Sequence, residues 1–133
     1  MELFSELWDA AIHSEPDQVK RRMNSEKIKA EDAEVDLASR TALISGSDPT
    51  PYRVSLSECS CFDFASRGKP CKHIYFLADA LGELPPWPKV NRKGQKAVLE
   101  AAPVEVERWR AEFEAGNISA KKYAKIADAL LSK

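Results

Sequence analysis

The sequence predicts an α+β fold: helices first, then a small antiparallel β-meander, a helix anchored directly behind it, and a helical hairpin at the end. Three observations predict it. Apolar residues recur at helical spacing near the amino terminus, alternate with polar ones between Val35 and Leu56, and return to helical spacing from Ile74. All three cysteines and one of the two histidines fall within residues 59–73, where the period changes back. Two terminal helical patterns meet at "AGNIS", a sequence suited to a tight turn.

The elements follow in order. Phe4, Leu7, Trp8, Ala11 and Ile12 lie at helical spacing, so one short amphipathic helix is predicted there, closed by Pro16. A second, more polar helix is predicted from Asp17 to Lys29, with Val19, Met23 and Ile28 as its apolar contacts. In "AEVDLA" Val35 and Leu37 alternate, in "RTALIS" Ala42 and Ile44, and in "YRVSLS" Tyr52, Val54 and Leu56, which with the turn segment "SGSDPTP" gives two or three antiparallel strands. Ile74, Leu77, Ala78 and Leu81 then form a full helical stripe, stopped at Gly82. "ELPPWPKVNRKGQK" reads as a linker or extended arm. Val106, Trp109, Arg110 and Phe113 share a face of the first terminal helix. Gly116 and Asn117 suit a left-handed turn, Ser119 can cap, and Tyr123, Ile126, Ala127 and Leu130 face one way on the second helix. The expected organisation is therefore residues 1–30, amino-terminal helices; 31–84, meander and cysteine module; 85–98, proline-rich basic linker; and 99–133, helical hairpin.

Length and composition are those of one modest globular core: 133 residues, 44% hydrophobic and 31% charged, with a net charge of −1. That balance gives no global basic excess, but the charge is unevenly spread. Residues 1–66 hold 7 Lys/Arg against 13 Asp/Glu, residues 67–96 hold 7 against 2, and residues 97–133 hold 6 of each. The positive block thus begins inside the cysteine window and runs just past it. Glu2, Glu6 and Asp9 stand where an export signal carries basic residues, and no stretch has the roughly 18 apolar residues of a membrane span. A cytoplasmic location without membrane association is expected, and there thiols stay reduced.

An odd cysteine count in a reducing compartment argues against a disulfide framework and towards metal. The cysteines form two matched pairs with the histidine, Cys59 with Cys61 and Cys71 with His73, a C-x-C-x9-C-x-H arrangement. Four such ligands suit the closed tetrahedral set of one structural zinc ion. Cys59 and Cys61 can reach one ion from an extended segment, where alternate side chains point the same way. Residues two apart on a helix do not share a face, so Cys71 and His73 must sit where the chain is just beginning its helix, and Pro70 suits such a start. If the strand from Tyr52 ran straight on, the two cysteines would share parity with Arg53 and Ser55, opposite Val54. Either a bulge or turn near Ser57 and Glu58 rotates the chain, or the zinc sits off the far face of the hairpin. The competing reading, three cysteines packed in a core, is opposed by the polar residues between them, among them Ser60, Asp63, Ser66, Arg67 and Lys69.

The stretch "YRVSLSECSCFDFASRGKPCKHIYFLA" resembles the SWIM zinc finger, a module that occurs in chromatin-remodelling-type helicases and Mutator-type transposases. The resemblance covers about residues 51–82 and rests on the aromatic-x-Val run before the first cysteine, the Asp-Phe after the pair, the basic-Gly turn and the Cys-Lys-His helix start. It implies a β-hairpin followed by a helix around one zinc, with Cys59, Cys61, Cys71 and His73 as ligands. It also implies binding to DNA or to proteins, although within these residues the module is not fused to a helicase or transposase.

Four ligands leave no open position for catalytic water, and His73 is followed by Ile74 and Tyr75 rather than by the glutamate of zinc deaminases. His13 is a lone histidine on an acidic segment. No enzyme and no small-molecule substrate are expected. Arg67, Lys69 and Lys72 lie beside the ligands, and Lys89, Arg92, Lys93 and Lys96 follow the helix, so a nucleic acid, DNA foremost, held by backbone contacts is the first expected partner. A protein partner is the second, through the acidic stretch from Glu31 to Asp36, the "LPPWP" segment or the terminal hairpin. Trp87 is either an exposed anchor there or a cover for the zinc-module core. The terminal segment resembles the short SHOCT-type hairpin, which implies oligomerisation or partner docking.

Overall fold

The computed structural model describes residues 3–46, 49–87 and 106–131. The stretch expected as a linker, with Lys89, Arg92, Lys93 and Lys96, lies outside these residues from residue 88 onward. Among them are six α-helices and one three-stranded antiparallel sheet, an α+β architecture. The chain divides into two compact units: residues 1–10 with 21–85, and residues 11–20 with 86–133.

The first unit contains the sheet, with strands β1 (Ala33–Asp36), β2 (Thr41–Ile44) and β3 (Tyr52–Ser55) in sequential order. Ala42 pairs with Val35 on one side and Val54 on the other, and Ile44 pairs with Ala33 and Tyr52. Because side chains alternate, these residues line one face, where Ala42, Ile44 and Val54 are buried. Glu34, Leu43 and Arg53 occupy the opposite, exposed face. β1 ends at Asp36, whose carboxylate accepts the backbone N–H groups of Ala38 and Ser39, and the turn closes through Arg40 in the left-handed region, φ 59°. Leu37 therefore falls in the turn and is 66% exposed; it does not continue the apolar face with Val35.

The amino-terminal pattern is not one helix. Helix α1 (Phe4–Leu7) stops where Trp8 turns extended and its indole donates to the Leu56 carbonyl at 2.9 Å. A 3-10 turn follows (Ala10–Ser14), and α2 (Pro16–Ser25) begins at Pro16. The proline thus opens a helix instead of closing one, since the first helical position needs no N–H.

Helices α3 (Phe62–Arg67) and α4 (Lys72–Ala80) complete this unit. Ile74, Tyr75, Leu77 and Ala78 of α4 are wholly buried against the apolar sheet face together with Phe4 and Leu56. Gly82 at φ 73° ends α4, with the Glu83 N–H donating to Ala78 and the Gly82 N–H to Asp79. The Glu83 carboxylate then accepts the Phe4 N–H at 2.8 Å and pairs with Arg40, tying α1 and the first turn of the sheet to the end of α4.

The second unit contains α5 (Val106–Glu114) and α6 (Ala120–Leu131). Gly116 at φ 81° makes the turn, and the Ser119 hydroxyl accepts the Lys122 N–H as the cap of α6. Phe113 stacks on Tyr123 with centroids 5.0 Å apart, and the Tyr123 hydroxyl donates to the Ser14 carbonyl at 2.9 Å. Burial pushes the Tyr123 hydroxyl above its ordinary range. Trp87 packs edge-on against Phe113 of the same unit, 6.1 Å between centroids, so its ring is partnered within that unit.

Candidate metal centre

Each ligand is placed by a different local device. After Ser55 the chain reverses: the Ser55 N–H donates to the Glu58 carbonyl, the Ser60 N–H donates to Arg53, and Cys59 pairs antiparallel with Val54. Of the two ways of resolving the parity problem, the turn is the one the chain takes. Directly opposed residues share a face, so Cys59 extends the buried row of Ala42 and Val54. Cys61 follows as the cap of α3, its sulfur accepting the Phe64 N–H at 3.4 Å. Cys71 is the cap of α4, still extended at φ −93° and ψ 176°, and His73 lies in that helix's first turn. Two helices thus start at one point, each with a cysteine at its threshold.

The four ligand atoms lie within 4.8 Å of one another, and all four residues are buried. His73 turns its Nδ1 to the Cys59 and Cys71 sulfurs, 3.7 Å from each. A tetrahedral zinc with bonds of about 2.3 Å to sulfur and 2.0–2.1 Å to nitrogen separates its ligands by roughly 3.5–3.8 Å. The Tyr52 ring leans on the imidazole at 4.9 Å and fixes its plane. Two of the buried thiols, Cys61 and Cys71, resist ionisation. The Cys71 thiol, hydrogen-bonded to Cys59 and buried, is pushed up to about 12, and burial likewise raises Cys61. A divalent ion held by these residues would favour the thiolates through its positive charge.

Between the two ligand pairs the chain forms helix α3, which no sequence element predicted above covers. Its signals are Cys61 as cap, Asp63 in the first turn, Arg67 in the last and Gly68 at φ 67°. Burial alone would raise the Asp63 carboxyl, but hydrogen bonds from Arg21 and Arg67 outweigh it and hold it below the usual carboxylate range. Arg67 also donates to the Pro70 carbonyl, bracing the loop before Cys71. Of the basic residues beside the ligands, Arg67 is therefore engaged in a structural cluster, Lys69 is half-buried and Lys72 is exposed. Phe62, between Cys61 and Asp63, is 85% exposed, a position the sequence reading did not single out.

Among the described residues, no helix is long and apolar enough to cross a membrane. No curated protein and no solved structure gives a match. The SWIM zinc finger family model matches residues 41–82. That match starts at Thr41, ten residues before the resemblance seen in the sequence, and so takes in β2, the strand that pairs with β3 ahead of the ligands. Strand, reversal, paired helix starts and a Cys3His set positioned for one zinc ion identify residues 41–82 of this chain as a SWIM zinc finger.

Proposed function

We propose that the protein is a non-enzymatic binding module whose zinc is structural and whose partner is nucleic acid, DNA foremost, held mainly through the phosphate backbone. The observation that carries this is the position of Lys72. It is exposed on the first turn of α4, directly after ligand Cys71, at the edge of a block of residues 67–96 with 7 Lys/Arg against 2 Asp/Glu. Lys69 and the Arg21–Asp63–Arg67 cluster, with two cations on one carboxylate, add to that sign. Lys89, Arg92 and Lys93 belong to the same block in sequence. A closed Cys3His set leaves zinc no open position for substrate or water, which favours a binding role. The test is fluorescence anisotropy with labelled DNA and RNA across a salt series, using the zinc-loaded protein and its Lys69→Glu/Lys72→Glu variant. Binding that weakens with salt and with the double charge reversal supports the proposal.

A protein partner is the second reading, favoured by Glu31, Asp32, Glu34 and Asp36, all exposed on and before the edge strand β1. If no oligonucleotide binds at low salt, this reading replaces the first.

A further inference from the structure

The two helices that begin at the metal centre present unlike residues at their first positions. Cys61 caps α3 and is followed by Phe62; Cys71 caps α4 and is followed by Lys72. The two capping residues share the cluster whose ligand atoms lie within 4.8 Å, so the zinc that fixes one flank fixes the other. Phe62 is 85% exposed, the most exposed large apolar side chain among the described residues and the one aromatic in that group. Its neighbour Phe64, two residues on, packs against the core, so the helix turns one ring inward and holds the other in solvent.

Resting on the nucleic-acid reading above, we infer that Phe62 is a stacking platform for an unpaired base, with Lys72 on the adjoining helix start taking backbone phosphate, and that the partner is therefore single-stranded. An exposed aromatic ring and an exposed cation at the starts of two helices capped from one cluster match what a flexible strand offers, a base face and a phosphate in each nucleotide, whereas a duplex keeps its base faces stacked inside. The positive sign of residues 67–96, a block that begins in sequence five residues after Phe62, argues for a polyanion over an apolar protein surface.

The test uses the full zinc-loaded chain with a labelled oligothymidylate and a duplex of matched length. Phe62→Ala is expected to lower affinity for the single strand about 5- to 100-fold, to leave duplex affinity and the salt slope unchanged, and to be rescued by Phe62→Trp. Zinc content and circular dichroism confirm that the variants fold, as an exposed ring permits. If both probes bind but Phe62→Ala leaves the single strand unaffected, or weakens both probes equally, the stacking role is overturned while backbone binding stands. If neither probe binds the parent protein at low salt, the nucleic-acid reading and this inference fall together.

Discussion

Chelating zinc at neutral pH is expected to unfold the first unit. That unit spans about 75 residues, and at roughly 0.05–0.15 kcal/mol per residue its whole stability is about 4–11 kcal/mol. Zinc held by a finger of this type contributes on the order of 10–16 kcal/mol, so the ion outweighs everything else that holds the unit together. The structure explains why no other contact substitutes. The cysteines are not peripheral clips: Cys59 continues the buried row of Ala42 and Val54, and Cys61 and Cys71 start the helices. With zinc gone, three thiols and an imidazole remain buried in contact, and α3 and α4 lose the point that fixes both. Together these helices are 15 of the 50 α-helical residues described, so far-UV circular dichroism should lose at least a quarter to a third of its helical signal. Restoring zinc should restore it. An unchanged helical signal and thermal midpoint, in protein shown by metal analysis to be zinc-free, would refute the reasoning.

Three further outcomes follow from particular contacts. Trp8→Phe removes the indole donor to the Leu56 carbonyl and should cost about 1 kcal/mol in denaturant unfolding of the zinc-loaded protein, while zinc stoichiometry stays unchanged. Asp63→Asn removes the carboxylate shared by Arg21 and Arg67. With the Asp63 side chain 35% exposed, the stability cost is about 1 kcal/mol or less, yet low-salt affinity for oligonucleotides should rise, the opposite sign to Lys72→Glu. Tyr123 is buried with its hydroxyl pushed up, so its contribution is fully present below the unfolded tyrosine value of about 10 and is lost as pH rises through the higher folded value. The parent's advantage over Tyr123→Phe, about 1 kcal/mol at pH 7, should therefore shrink above about pH 10, as read from the difference between their denaturant midpoints.

The metal ligands were legible because their chemistry is rare and their spacing is local. The strand parity also carried information: it flagged a conflict at Cys59 that a bulge or turn near Ser57 and Glu58, or a zinc off the far face of the hairpin, could resolve. Which of these holds depends on the Ser55–Glu58 hydrogen bond and the pairing of Cys59 with Val54, contacts that no periodicity encodes. Gly82, Gly116 and Ser119 declared the helix ends and caps, since left-handed turns and caps demand particular residue types. The amino-terminal pattern misled because the Trp8 side chain trades helix continuation for a tertiary hydrogen bond, so that spacing persists across a break in the backbone. Helix α3 was hidden by its six-residue length, too short for an apolar stripe, although its cap, its Asp63–Arg67 pair and Gly68 were all present. Trp87 could not be placed from the "LPPWP" context, because its partner Phe113 lies 26 residues away in another element.

One zinc ion held by Cys59, Cys61, Cys71 and His73 is central to this fold, and X-ray absorption at the zinc edge on the purified protein tests that most directly. The expected result is one zinc per chain, with about three sulfurs near 2.3 Å and one nitrogen near 2.0–2.1 Å. A first shell of nitrogen and oxygen alone, or a folded protein that carries no zinc, would contradict it.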